Sequence, residues 1–131
     1  MKASALVVSA VLVCAFAPSL AAQHPWVILP SKSEIKLWAD SNSWVRSPGG
    51  LISVRLRVSE DPNAKPSDEG TILYMDFDCT KHLFRVRRTE FVKGEKVMDI
   101  LPDSMTSGKW EAPNRDWLED HQLQAACSKK P

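Results

Sequence analysis

Two arginine pairs, Arg55 with Arg57 and Arg85 with Arg87, stand at a spacing of two, and Asp76 and Asp78 repeat that spacing between them. A spacing of two puts both members of a pair on one face of an extended strand. Guanidinium groups displayed in this way suit bidentate contact with carboxylate, sulfate or phosphate. The same residues equally suit plain cross-strand ion pairing on a solvated sheet face, at about 0.2–1 kcal/mol per pair. Trp38 joins the ligand-facing set, because it alternates away from Ile35 and Leu37. Asp76 and Asp78 could also be read as paired catalytic carboxylates, but the nearby arginines argue against it. His24, His82 and His121 show no metal-ligand spacing with one another, with cysteine or with an acidic cluster. There is no G-x-S-x-G and no Gly-rich phosphate loop. The expectation from these residues is not an enzyme, with no catalytic residue, no cofactor and no metal.

Three cysteines, Cys14, Cys79 and Cys127, carry the other reactive side chains. Cys14 lies in an N-terminal segment with the order of a secretory signal peptide. Lys2 precedes an uncharged, largely apolar run from Ala3 to Ala17, Pro18 follows, and Ser19-Leu20-Ala21-Ala22 supplies a small-residue exit. The competing reading is an uncleaved membrane anchor, since residues 3–22 carry no charge. Val11-Leu12-Val13 before Cys14 is no lipidation context, so a lipid anchor is not expected. Cleavage after Ala22 leaves residues 23–131 as one domain without a membrane span, exported to the periplasm or beyond the cell. It also leaves Cys79 and Cys127, 48 positions apart. In an oxidising compartment these are most simply one disulfide, with two free thiols or a redox pair as the alternative. There is no C-x-x-C.

The chain has 17 Lys and Arg against 16 Asp and Glu, and removing Lys2 brings the domain to formal neutrality. A neutral domain offers no general attraction for nucleic acid.

The elements that must position these residues are read from periodicity. Glu34–Asp40 reads as a strand, and Ser47-Pro48-Gly49-Gly50 as a turn. In Leu51–Ser59, Ile52, Val54, Leu56 and Val58 share one face, and Ser53, Arg55 and Arg57 share the other. Residues 60–70, with Pro62, Pro66 and Gly70, form a long polar loop. Thr71–Cys79 alternates again, with Tyr74, Asp76 and Asp78 opposite Leu73, Met75, Phe77 and Cys79. His82–Val92 and Lys96–Leu101 continue the strands across a turn at Gly94. The period then changes to helical. Asp116 and Glu119 are placed for a capping box, and Trp117, Leu118, His121 and Ala125 fall on one face. The fold class expected is α+β: an antiparallel sheet of about five to six strands with a C-terminal helix packed on it and tied by one disulfide. Of the five tryptophans, Trp26, Trp38, Trp44, Trp110 and Trp117, most are expected in the core, with one or two serving as surface anchors.

The order of these features resembles the surface-adhesin protein E family of Gram-negative bacteria. Trp26 follows the leader, and Leu37-Trp38-Ala39-Asp40 ends a strand. Trp44-Val45-Arg46 precedes Gly49-Gly50 and Ile52-Ser53-Val54. Asp76-Phe77-Asp78-Cys79 is followed by the basic-aromatic run Lys81 to Arg85, and Trp110 precedes a terminal helix reaching Cys127. The resemblance spans nearly the whole exported domain. It departs where Arg55-Leu56-Arg57 replaces a strand tryptophan, where Ala112-Pro113-Asn114 replaces a Pro-Gly-Ser, and where the adhesin's lipid-anchor cysteine is absent. The family implies an antiparallel sheet with a C-terminal helix, a disulfide matching Cys79 to Cys127, and a capacity for homodimers. It also implies adhesion to host extracellular-matrix protein. A partner of that kind, or a polyanion, is the expectation; the alternative is a periplasmic envelope partner or inhibitor with no host target.

Overall fold

The computed structural model describes residues 25–31, 34–102, 105, 108–114 and 118–128. The proposed leader, Asp116 and Trp117 lie outside the described residues. Among the described residues the chain forms seven strands and one helix: β1 (Trp26–Leu29), β2 (Lys36–Asp40), β3 (Val45–Ser47), β4 (Leu51–Ser59), β5 (Glu69–Asp78), β6 (Leu83–Lys93), β7 (Lys96–Ile100) and α1 (Leu118–Ser128). All seven belong to one antiparallel sheet in the order β1-β2-β4-β5-β6-β7, with β3 pairing β4 beside β2. The expected α+β architecture is present. The sheet has more strands than the five or six expected, because β1 and β3 span only four and three residues. Runs that short show no readable alternation.

The apolar faces of β2, β4, β5 and β6 form the core. Leu37, Ala39, Ile52, Val54, Leu56, Met75, Phe77 and Phe84 are buried there with Leu123 and Ala126 of α1. The Cys79–Cys127 disulfide is formed, with Cα atoms 5.6 Å apart. It joins the end of β5 to the last turn of α1. An isolated helix of 11 residues is too short to be stable in water, so packing and the crosslink hold it. The buried helix face differs from the expected one. Gln122, Leu123 and Ala126 are buried, whereas Leu118, His121 and Ala125 are only partly covered. The crosslink explains the rotation. Leu123 and Ala126 lie four and one residues before Cys127, and turning Cys127 to the sheet brings Leu123 with it.

The turns form as their glycines require. Gly49 and Gly50 adopt φ of 85° and 80°, and Gly94 adopts 59°, conformations that cost a side chain energy. The loop between β4 and β5 is pinned rather than free. Ala64 is buried, Asp61 O accepts its N–H at 3.1 Å, and Ala64 O accepts from Lys36 Nζ at 3.4 Å. Among the described residues no helix is long and apolar enough to cross a membrane.

Candidate ligand-binding face

The sheet face opposite α1 carries the charged pairs. Cross-strand register sets Ser53 opposite Asp76 and Arg55 opposite Tyr74 on β4 and β5, and Asp76 opposite Arg85 on β5 and β6. A register shift at Tyr74/Met75 then leaves Arg87 as the extra residue, with Arg88 opposite Tyr74. Regular alternation would send Arg88 to the core side. The bulge instead turns Arg85, Arg87 and Arg88 to one face, which is a recognised use of bulges for re-aiming side chains.

Asp76 is the centre of this face. It is 6% exposed and accepts three hydrogen bonds, from Ser53 Oγ at 2.7 Å, Arg85 Nε at 2.7 Å and Arg87 Nε at 2.9 Å. Burial alone would raise its pKa. The hydrogen bonds from Ser53 and Arg85 and the charges of Arg87 and Arg85 outweigh burial, and hold the carboxyl below its ordinary value. Arg85 and Arg87 keep 36% and 48% of their side chains in solvent. Both bind Asp76 through Nε, and among the described residues their terminal Nη atoms have no hydrogen-bond partner. The Arg85 guanidinium lies 4.5 Å from the ring centre of Trp110, itself 36% exposed. Trp110 is held in place by its neighbour. Glu111 exchanges two backbone hydrogen bonds with Phe84, at 2.9 and 2.8 Å.

The face continues as alternating guanidinium and aromatic groups. Arg55 lies 5.7 Å from the Tyr74 ring and 5.1 Å from the Trp26 ring, and its Nη1 donates to Asp40 Oδ2 at 3.2 Å. Arg88 lies 5.8 Å from the same Tyr74 ring and pairs with Glu90 at 2.8 Å, and Tyr74 Oη donates to Glu90 Oε1 at 3.0 Å. Burial, aided by the hydrogen bond to Glu90, pushes the Tyr74 phenol above its ordinary pKa despite the neighbouring arginines.

Two expected ligand contacts are not on the open surface. Arg57 is 0% exposed and Trp38 is 5% exposed. Arg57 donates Nη1 to Gly94 O at 3.0 Å and Nη2 to Asp68 O, tying the β6–β7 turn and the loop before β5 to the middle of the sheet. Burial lowers its pKa, and Arg55 adds to that, against the opposing charges of Glu95 and Asp68. Trp38 lies between Ile28 and Arg57 across the register of β1, β2 and β4. The physical reason is the same for both. β1 extends the sheet past β2, and Trp26 Nε1 donates to Glu95 Oε1 at 3.2 Å, reaching from the first strand to the β6–β7 turn. The face is thus closed at the Arg57 end and open at the Arg85 end. Asp78 also leaves the expected charge ladder, since its Oδ1 accepts the backbone N–H groups of Thr80 and Lys81 in the β5–β6 turn.

Of the predicted set, the structure brings Arg85 and Arg87 together on Asp76 and places Arg55 beside them on the same face. Sequence reasoning missed Trp110, Ser53 and the Trp26–Tyr74 framing of Arg55. Period-two alternation did assign Ser53 and Tyr74 to this face. No local signal marks Trp110, which reaches Arg85 only through the isolated pairing of Glu111 with Phe84. A cavity of about 620 Å³ lies elsewhere, where β4 ends and β5 begins, between apolar Val58, Phe91, Met98 and Leu118 and acidic Glu60 and Asp61. No predicted site residue lines it. Among the described residues no cluster of His, Cys, Asp or Glu could hold a metal ion.

The fold and face define a disulfide-tied antiparallel sheet with an arginine-rich surface. Comparison with protein-family models, with curated proteins and with solved structures finds no significant match.

Proposed function

We propose that the chain is an exported, non-enzymatic binding protein that receives an anionic partner on the open end of the arginine-rich face. One observation carries this reading: Arg85 and Arg87 are oriented by a single buried carboxylate through Nε, and their Nη groups have no hydrogen-bond partner among the described residues. Arginines that serve only to neutralise Asp76 would have no need of two partly exposed forks on one carboxylate. Asp76, the best candidate for a catalytic acid, is instead engaged by three donors, which supports binding over catalysis. The formed disulfide fits an oxidising compartment, and the signal-peptide pattern supports export. The resemblance to the surface-adhesin protein E family supports an adhesin-like role, with host extracellular-matrix protein or a polyanion as partner.

The test is binding of the disulfide-bonded protein to immobilised matrix proteins and to polyanions. The expected result is saturable binding that falls when Arg85→Ala and Arg87→Ala are combined. Binding at background, or binding indifferent to the double substitution, overturns the assignment of this face.

A further inference from the structure

We propose that Arg85, Arg87 and Trp110 form a subsite for a sulfate ester carried on a sugar ring, so that the anionic partner is a sulfated glycan. The inference rests on the anionic-partner reading above and narrows it. Arg85 and Arg87 bind different oxygens of Asp76, Oδ2 and Oδ1, so the two guanidiniums flank one carboxylate. Asp76 is buried while both arginines reach solvent, and their Nε atoms are engaged on it while their Nη atoms have no hydrogen-bond partner among the described residues. The two Nε atoms stand no further apart than two hydrogen bonds and one carboxylate, which keeps the two guanidiniums neighbours.

The number of oxygens then discriminates among ligands. A carboxylate has two coplanar oxygens and saturates one fork. A phosphodiester also has two free oxygens. A sulfate ester has three in tetrahedral array, enough to meet both forks at once. Charge points the same way. Two guanidiniums and one carboxylate leave one net positive charge, which matches the single charge of a sulfate ester. A phosphomonoester, at about −1.5 to −2 near neutral pH, exceeds it. The neighbouring arginines are already matched, Arg55 by Asp40 and Arg88 by Glu90. The chain as a whole carries a formal charge of only +1, so a polyanion is not collected by bulk attraction and must be recognised by local geometry.

Trp110 supplies the second element. Its partly exposed indole, beside the Arg85 guanidinium, is a flat apolar platform next to an anion clamp. The C–H face of a pyranose ring bearing a sulfate presents the complementary pair of surfaces. An acidic peptide offers charge without that ring.

The experiment is calorimetric titration of the disulfide-bonded protein with a heparin-type oligosaccharide, its chemically desulfated form, polyglutamate and single-stranded DNA. The sulfated oligosaccharide is expected to bind and its desulfated form not to. Arg85→Lys and Arg87→Lys each keep the charge but lose the fork, and should weaken binding roughly 10- to 100-fold. Trp110→Ala should weaken it roughly two- to tenfold, and Lys65→Ala should leave it unchanged. If a variant does not fold, the unaltered protein still decides. Its Trp110 indole N–H and its Arg85 and Arg87 Nε–H resonances must shift on titration with the sulfated oligosaccharide. Equal binding of polyglutamate or DNA at matched charge would sink the sulfated-sugar inference while leaving the anionic-partner reading standing. Binding of none of the four would remove both. Sulfated binding that ignores Arg85, Arg87 and Trp110 would place the site elsewhere.

Discussion

Replacing Asp76 by asparagine keeps the shape of the side chain and removes the charge on which Arg85 and Arg87 are both held. The cost follows from which oxygen accepts which donor. Oδ1 accepts from Ser53 Oγ and Arg87 Nε, and Oδ2 accepts from Arg85 Nε. An asparagine with its carbonyl at the Oδ1 position keeps the first two bonds and sets its amide N–H against the Arg85 donor. The flipped amide keeps Arg85, donates to the Ser53 hydroxyl instead of accepting from it, and loses Arg87. In either arrangement one charge-assisted bond is lost and another becomes charge-to-dipole. A hydrogen bond to a charged group contributes about 1.5–3 kcal/mol. Arg85 is 36% exposed, and water restores part of that. The expected loss is about 2 kcal/mol at pH 7. Urea unfolding of both proteins, followed by tryptophan fluorescence, measures it. The pH dependence gives a sharper check. The folded pKa of Asp76 lies below the unfolded value of about 3.9, so its contribution is complete above that value and is lost as pH falls through the folded pKa. The gap between the two proteins should therefore close at strongly acid pH. A gap under about 0.5 kcal/mol at pH 7, or one that persists unchanged into acid, refutes the account of Asp76 as the organiser of this face.

Two other variants probe the scaffold. Removing the crosslink as Cys79→Ser with Cys127→Ser frees a 48-position loop and should cost about 4 kcal/mol by chain entropy, read as a lower urea midpoint with early loss of helical circular dichroism; a loss under about 1 kcal/mol would show that packing alone holds α1. Gly70→Ala places a methyl 3.3 Å from the Arg57 guanidinium and 3.3 Å from Val58 O, and the carbonyl cannot swing away; a destabilisation of about 1–3 kcal/mol is expected in thermal melts, and a neutral or stabilising change would show that the Arg57 anchor is looser than its contacts imply.

Much of the fold was legible because strands and turns are local. The alternation of Ile52, Val54, Leu56 and Val58 required a half-buried strand, and the glycines at 49, 50 and 94 marked turns that adopt positive φ. The helix stripe was misplaced because so short a helix allows several neighbouring faces. The Cys127 crosslink selects one of them, and counting back four residues from Cys127 would have found Leu123. The exposure of Arg57 and Trp38 was misjudged for a different reason. Alternation says which face a residue takes, and nothing about whether that face is covered.

By itself the sequence determined the strand periodicity and the side of the sheet on which Arg55, Arg85 and Arg87 stand, because each depends on spacing along one chain; a Cys79–Cys127 bond was its simplest expectation, and the structure forms it. Tertiary structure alone decided which arginines remain open. Trp26 meets Glu95 across 69 positions, and Arg57 is sealed beneath their contact. Trp110 reaches Arg85 only when the segment before α1 docks beside β6. The bulge at Arg87 likewise exists only between paired strands. Such contacts are set by how distant segments cover one another, and no local period in the chain encodes them.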